Sequence, residues 1–167
     1  MAIRLIQNDN AKWTDADLKY YKKHQDAFQN FSVSEYEMDA FHSFENSIEN
    51  CRRADGQNTH FYEIHNDGIK VGELLLTKVV DDEDDHDHNI RDMGWEVDIA
   101  IYDAYQKQGY GREAIKQLSE IKSLNTLFAC VNFHNPIKGK IECMLKSLGF
   151  VFDGDYSGYW IKQIKSK

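Results

Sequence analysis

The sequence predicts one α/β domain over residues 1–167, with a mixed, mostly antiparallel sheet of about seven strands flanked by four helices. A length of 167 residues with 41% hydrophobic residues suits a single packed core. After a first strand, the apolar pattern has a helical period up to Cys51, and at residue 60 it changes to a strand period. Three successive strand-like segments indicate antiparallel pairing, and a strand–helix–strand stretch over 95–132 indicates a parallel crossover. The expected order is β-α-α-β-β-β-α-β-α-β-β.

The first elements are a strand and two helices. Residues 2–7 alternate sufficiently for a strand, and Thr14 followed by Asp17 resembles a helix start. The buried stripe of this first helix is expected at Leu18, Tyr21 and Phe28. Residues 34–37 form a capping-box pattern, which marks a second helix. Its apolar stripe repeats at steps of three, four and three residues: Phe41, Phe44, Ile48 and Cys51.

Later in the chain, strands alternate with helices. The predicted strands cover 60–65, 70–80, 95–101, 126–132, 150–153 and 159–163. A turn at 66–68 joins the first two of them, and a helix over 111–122 precedes the fourth. Asn135 suits a helix N-cap with Pro136 in the first helical position, and Gly149 ends that helix.

Charge and composition exclude several classes of protein. The net charge is −8, but residues 81–88 carry six negative charges and leave the rest of the chain near −2. A nearly neutral body argues against binding to nucleic acid or to an anionic membrane surface. Because no apolar run could cross a bilayer and no signal-peptide pattern is present, we expect a cytoplasmic protein. The cysteines lack paired spacing and are expected to be reduced thiols: Cys51, Cys130 and Cys143.

The acidic segment 81–88 has two interpretations. His86 and His88 stand beside carboxylates, and these residue types bind divalent metals. The run nevertheless has no fixed ligand geometry, so a solvated loop between two strands is the favoured interpretation. No metal site is predicted.

Residues 105–114 carry the strongest chemical signal, because they join a strand directly to a helix. Gly109 and Gly111 allow a tight bend, and the N–H groups at the helix start form an anion site suited to a pyrophosphate. The segment lacks the Gly-Lys-Ser/Thr ending of a nucleotide-hydrolase phosphate loop and the third glycine of a dinucleotide-binding turn. From the residues alone, a purely structural strand-to-helix turn is an equal alternative.

This segment resembles the signature of the GNAT N-acetyltransferases, which is Gln/Arg-x-x-Gly-x-Gly/Ala at the start of the helix after the fourth strand. Residues 106–111 read Gln-Lys-Gln-Gly-Tyr-Gly. A second similarity is Asn135 opening a helix that ends in Gly149 and Phe150. The order of elements is also similar to that of the family, so the resemblance covers essentially the whole chain. The most similar branch includes the ribosomal-protein N-terminal acetyltransferases, whose fourth strand carries a glutamate ten residues before the glutamine.

The resemblance implies that acetyl-CoA is the co-substrate. Backbone N–H groups of residues 108–112 would hold the pyrophosphate, and the strand edge at 99–101 would pair with the pantetheine arm. Lys138 stands where the branch often has serine, which is a departure at the pantetheine contact. Lys107, Arg112 or Lys138 would reach the phosphates as point charges, and the alternative for each is a solvated cation. The implied cofactor-binding residues are Ile99, Ile101, Gln106, Lys107, Gln108, Gly109, Tyr110, Gly111, Arg112, Asn135 and Lys138.

The resemblance also implies direct acetyl transfer to a primary amine in a ternary complex. Glu96 occupies the family position of the base, and strand alternation places Asp98 on the same face. These two acids are the catalytic candidates; the alternative is a partly exposed sheet face. Many family members carry a tyrosine at the position of Leu145, which leaves Tyr102 and Tyr156 as general-acid candidates by residue type alone.

The acceptor is expected to be a small-molecule or peptide amine, and the acidic segment 81–88 would favour a cationic one. Two rival functions remain open. One is a CoA-binding module of the same fold that acts as a sensor or interaction partner without turnover. The other is a protein that binds no CoA and uses the glycine turn only structurally. Pairing of exposed sheet edges into a homodimer is a further expectation, without a predicted interface.

Overall fold

The computed structural model describes residues 3–24, 52–81, 91–121, 123–154 and 158–164. The second predicted helix, Phe28, Tyr156 and the acidic segment beyond residue 81 lie outside these ranges. The described residues contain seven strands and three α-helices, in the order β1 (Ile3–Gln7), α1 (Asp15–Lys23), β2 (Thr59–Asn66), β3 (Ile69–Asp81), β4 (Arg91–Ile101), α2 (Tyr110–Leu118), β5 (Thr126–Ala129), α3 (Lys138–Ser147), β6 (Val151–Asp153) and β7 (Tyr159–Gln163).

One sheet contains all seven strands, in the order β1-β2-β3-β4-β5-β7-β6. Its pairs are antiparallel except for β4 with β5, which are parallel and connected through α2. The predicted mixed α/β fold is therefore confirmed. The predicted count of four helices differs from the three described here, because the second predicted helix falls outside the described ranges. None of the described helices is long and apolar enough to cross a membrane.

Local sequence signals fix the start of the first described helix and the turn of the first described hairpin. The Thr14 hydroxyl accepts from the Asp17 amide at 3.2 Å, and the Asp17 carboxylate accepts from the Thr14 amide at 3.0 Å. This reciprocal pair is a capping box, and it starts α1. Between β2 and β3, Asp67 and Gly68 have φ values of 49° and 83°. Two successive left-handed residues give a tight hairpin turn whose twist matches the strands.

The helices after β4 and β5 differ at their ends from the prediction. Helix α2 ends at Leu118 rather than at residue 122. The amides of Glu120 and Ile121 bond carbonyls only three residues back, so the last turn tightens and the helix stops. Helix α3 begins at Lys138, and its N-cap is Ile137 rather than Asn135.

Asn135 caps the turn before α3 instead of the helix itself, since its side-chain oxygen accepts from the Ile137 amide at 3.0 Å. At the other end, the Phe150 amide bonds the Leu145 carbonyl and the Gly149 amide bonds the Lys146 carbonyl, both at 3.1 Å. With Gly149 at φ 87°, this is a Schellman motif, as the Gly-Phe ending predicts.

The core lies on both faces of the sheet. Helix α2 and the buried Leu145 of α3 pack on one face in the main hydrophobic cluster, together with Val97 and Leu127. On the other face, Tyr21 of α1 packs against Ala100 of β4. The two faces of β4 are therefore occupied by alternate residues, which decides where each candidate side chain of that strand points.

Candidate active site

Strands β4 and β5 separate in the middle of the sheet. Their ladder contains only the pairs Trp95–Leu127 and Glu96–Phe128. Near its start, a Cβ on Gly94 would lie 2.5 Å from the Thr126 carbonyl oxygen, so only glycine permits the two strands to approach there. Beyond Glu96, β4 continues to Ile101 while β5 ends at Ala129. The result is a strand edge that opens within the sheet, and an extended ligand can pair with such an edge.

The backbone groups at this open edge belong to the odd residues of β4. The Tyr102 amide donates to the Val71 carbonyl on β3 at 3.0 Å. Alternate residues of an antiparallel strand direct their backbone groups to opposite sides, so the amides of Ile99 and Ile101 point away from β3, toward the opening. The Ile101 carbonyl already accepts from the Tyr20 hydroxyl at 3.2 Å and from the Gln106 side chain at 3.0 Å. The Ile99 and Ile101 amides thus face the opening as donors.

A left-handed turn follows the open edge directly. Lys107 has φ 63° and Gly109, the N-cap of α2, has φ 84°. The Glu113 amide makes the first helical bond, to the Gly109 carbonyl at 3.1 Å. The three preceding amides, of residues 110–112, lie outside the helical ladder and form the positive end of the helix dipole. A Cβ on Gly109 would meet nothing within 4 Å, so the space beside this residue, at the start of the helix, is open.

Side-chain hydrogen bonds hold this turn in place. Gln106 also donates to the Asp103 carboxylate at 3.3 Å, and Gln108 donates to the Ala104 carbonyl at 3.4 Å. The buried Tyr110 hydroxyl donates to Gln108 at 2.9 Å and accepts from Asn66 at 3.2 Å. These polar side chains therefore shape the turn, while Lys107 and Arg112 are exposed beside it.

The connection from β5 to α3 contributes the third group of predicted residues. Asn135 lies in the turn before α3. The Lys138 ammonium lies 4.9 Å from the centre of the Phe133 ring and 3.9 Å from the Glu142 carboxylate. Lys138 also acts electrostatically on Cys130, at the end of β5. The structure thus brings residues of β4, the glycine turn and the α3 start to one end of the parallel strands.

Glu96 and Asp98 lie on the sheet face opposite the main core. Trp95, Val97 and Ile99 belong to the main cluster, and Ala100 packs on Tyr21, so alternation puts the two acids on the face of Ala100. Cys130 and Tyr159 share this face with them. Burial raises the pKa of the Cys130 thiol, and the charges of Glu96 and Asp98 raise it further.

Tyr159 completes this group, although it is not among the site residues predicted from the sequence. Burial is the largest cause that raises the pKa of its phenol. The negative charge of Glu96 and a hydrogen bond to Glu96 raise this pKa further. Tyr159 reaches Glu96 because β7 inserts beside β5, a pairing between distant parts of the chain. Short-range patterns do not specify such a pairing. The presence of two aromatic residues at 159–160, at the start of a predicted strand, was the one available signal.

Of the two tyrosines named as general-acid candidates, Tyr102 is committed elsewhere, and the position of the family's usual tyrosine holds a leucine. Leu145 lies in the main core. The Tyr102 hydroxyl donates to the Glu73 carboxylate at 3.1 Å, and burial together with the Glu73 charge raises the pKa of Tyr102. Tyr156 lies outside the described residues.

Comparisons with known proteins establish the fold. No family model and no curated protein matches the sequence. Among solved structures, a GNAT-family acetyltransferase from Streptococcus pneumoniae is 17% identical with a TM-score of 0.56, covering 97% of this chain and all of the other. The Bacillus subtilis N-acetyltransferase YlbP, in complex with coenzyme A, is 16% identical with a TM-score of 0.57, covering 97% of both chains.

A third similar structure is the spermidine N-acetyltransferase from Vibrio cholerae in complex with CoA and spermine. It is 15% identical with a TM-score of 0.53, covering 96% of this chain and 92% of the other. At these identities the likeness shows a shared fold. The chain therefore has the architecture of GNAT-family acetyltransferases over almost its whole length.

Proposed function

We propose that the protein transfers an acetyl group from acetyl-CoA to a primary amine. The observation that carries this proposal is the open edge of β4 leading directly into the left-handed turn at Gly109. An extended pantetheine arm would pair with the amides at Ile99 and Ile101, and the pyrophosphate would accept from the amides of residues 108–112. The CoA complexes among the structures with the same fold support this assignment.

Each catalytic task has a candidate group in the described structure. Glu96 would accept the proton of the attacking amine, which is mostly protonated at neutral pH, and Asp98 lies on the same face. A backbone amide of β4 at this open edge, beside those that pair with the pantetheine arm, would donate to the oxyanion of the tetrahedral intermediate. Collapse of that intermediate breaks the C–S bond and releases the CoA thiolate, whose pKa near 8.5 permits departure without a dedicated acid.

The acceptor is a small-molecule or peptide amine. The carboxylates of Glu96 and Asp98 favour a cationic amine, and the spermine complex of the Vibrio cholerae enzyme supports that preference. The glutamate ten residues before Gln106 supports a relation to the ribosomal-protein N-terminal acetyltransferase branch. We further propose a single cytoplasmic domain over residues 1–167.

Calorimetric titration with acetyl-CoA tests the cofactor site. Gly109→Ala places a side chain at φ 84°, which costs about 1 kcal/mol of strain and displaces the amides that would hold the pyrophosphate. We expect tight binding by the wild type and a loss of at least about tenfold in Gly109→Ala. Gly149→Ala is the matched control, because Gly149 has φ 87°, an equally open Cβ position and a place at the far end of α3.

The result separates the proposed function from its rivals. Equal losses in both variants would show that backbone strain, not the site, weakens binding. Absence of binding by the wild type would exclude acetyl transfer and leave a structural turn. Binding followed by no transfer in a panel of polyamines, amino acids and peptides would favour a CoA-binding module without turnover.

A further inference from the structure

We propose that Tyr159 is the positioning residue of Glu96, holding its carboxylate at the opening between β4 and β5 by a hydrogen bond from the phenol. This inference rests on the proposed function, because it assigns a partner to the proposed base. Tyr159 belongs to β7, whereas the family's usual tyrosine position in α3 is Leu145, which is buried in the core. The role proposed here acts through Glu96 and not by direct proton donation to the leaving thiolate.

The strand register brings the two side chains together. Glu96 on β4 pairs with Phe128 on β5, and Phe128 pairs with Ile161 on β7, so all three side chains share one face. Tyr159 lies two residues before Ile161 and therefore returns to the same face. Its ring contacts the Phe128 ring edge to face, with centroids 6.0 Å apart. This aromatic contact fixes the direction of the phenol, and the hydrogen bond ends on Glu96.

The surroundings make the phenol a permanent donor. The raised pKa of Tyr159 keeps its hydroxyl protonated at neutral pH. The titratable groups that share this region are Asp98 on β4, Cys130 at the end of β5 and Lys138 on α3. The Tyr159 hydroxyl supplies a hydrogen bond that stabilises the Glu96 anion, and the Asp98 charge on the same face opposes it.

A double-mutant cycle with Tyr159→Phe and Glu96→Gln tests the proposal. Tyr159→Phe keeps the ring on Phe128 and removes only the hydroxyl. We expect kcat to fall about tenfold, less than the hundredfold or more expected for loss of the base. KM for acetyl-CoA should not change, and the acidic limb of the kcat/KM profile should move to higher pH. In the Glu96→Gln background, Tyr159→Phe should have no further effect on kcat.

Two controls make the outcomes distinguishable. Tyr62→Phe removes a hydroxyl that reaches Gln7 at 3.4 Å on the opposite side of the sheet, and it should leave kcat unchanged. The same cycle measured by urea unfolding detects the Glu96–Tyr159 contact without any activity. Non-additive stability together with a kcat effect that requires Glu96 supports the proposal.

Three results would overturn it. Additive stability changes would mean that the two side chains do not interact. An undiminished kcat effect of Tyr159→Phe in the Glu96→Gln background would make Tyr159 an independent proton donor. A wild type that binds acetyl-CoA but acetylates no amine would remove the proposed function and with it this role, even where the stability cycle shows that the pair exists.

Discussion

Lys107 has a backbone φ of 63°, in the left-handed region where a lysine is disfavoured by about 1 kcal/mol relative to glycine. Asp67, the other non-glycine with positive φ in the described ranges, belongs to a residue type that tolerates this region. Lys107 is exposed and directly precedes residues 108–112, whose amides form the proposed anion site. Because its ammonium group stands beside the proposed anion site, we expect its charge to contact the bound phosphates.

Two substitutions at this position separate backbone strain from charge. Lys107→Ala and Lys107→Gly both remove the ammonium, but only glycine relieves the positive φ. We expect the glycine variant to be more stable than the alanine variant by about 1 kcal/mol in urea unfolding. Both should bind acetyl-CoA about threefold more weakly than the wild type, as expected for loss of an exposed charge contact.

A different pattern would assign Lys107 another role. Equal stability of the two variants would contradict the strain argument. Wild-type affinity in the alanine variant would exclude a phosphate contact and leave the lysine as a solvated cation.

At the scale of elements, α1 is fixed to the sheet by a buried ionic cluster around Glu73 of β3. Glu73 is fully buried, and its carboxylate contacts the Arg53 guanidinium at 2.7 Å and the Lys70 ammonium at 2.9 Å. It also accepts from the hydroxyls of Tyr21 in α1 and Tyr102 after β4. The cluster therefore joins α1, β3 and the segment that leads into the glycine turn.

The cluster makes stability depend on pH in a defined direction. Burial alone would raise the pKa of Glu73, but the Arg53 and Lys70 charges and the hydrogen bonds more than offset burial and lower it below its ordinary value of 4.5. A lowered pKa in the folded state means that Glu73 contributes its full stabilisation above about pH 4.5. That contribution is lost as the pH falls through the folded-state pKa.

Glu73→Gln tests this contribution. At pH 7 we expect a loss of about 3 kcal/mol, because the substitution leaves Arg53 buried beside a neutral partner. The difference in the free energy of unfolding between wild type and variant, measured in urea, should become smaller as the pH falls from 5 to 3. Glu113→Gln, which removes a partly exposed carboxylate on α2, should cost no more than about 1 kcal/mol. If the unfolding free energies of wild type and Glu73→Gln differ by the same amount from pH 5 to pH 3, the pKa of Glu73 is not lowered in the folded state.

The elements themselves could be predicted from sequence where the signal is local. The Thr14 cap, the turn at Asp67–Gly68 and the Gly149 ending all depend on neighbouring residues, and the structure has them. The end of β5 at Ala129 was not predictable, because it depends on where β4 diverges from β5. The contact of Tyr159 with Glu96 depends likewise on the insertion of β7 between β5 and β6. Long-range pairing of this kind leaves no periodic trace in the chain.

At the scale of the whole molecule, the sheet divides between β4 and β5, and the proposed active site lies at this division. Strands β1 to β4 form a continuous antiparallel unit, and β5, β7 and β6 form a second one. The two units are joined by only two residue pairs between β4 and β5. The backbone polar groups beyond that junction would have to find water or a ligand as partners, since a strand edge inside a sheet otherwise leaves them without any.

Hydrogen exchange measured with and without acetyl-CoA tests whether the ligand pairs with the open edge of β4. A pantetheine arm paired with β4 would accept from the amides of Ile99 and Ile101, so their exchange should slow at least about tenfold on binding. The amides of Asp98 and Ala100, which pair with Leu75 and Glu73 on β3, are already bonded in the free protein and should change little. At an acetyl-CoA concentration that only just saturates the wild type, Gly109→Ala should reduce the protection at Ile99 and Ile101, because it displaces the amides that would hold the pyrophosphate.

The positions of the protected amides distinguish pairing of the ligand with β4 from a general stabilisation of the fold by binding. Ligand binding stabilises the whole fold, so amides that exchange only by global unfolding slow down in every strand. The extra protection at Ile99 and Ile101 must therefore exceed that of the β2–β3 ladder, which serves as the internal reference. Uniform slowing across both units of the sheet would contradict pairing at the open edge, even if acetyl-CoA binds tightly. Local slowing at these two amides would show that the opening between β4 and β5 completes its hydrogen bonding with the ligand.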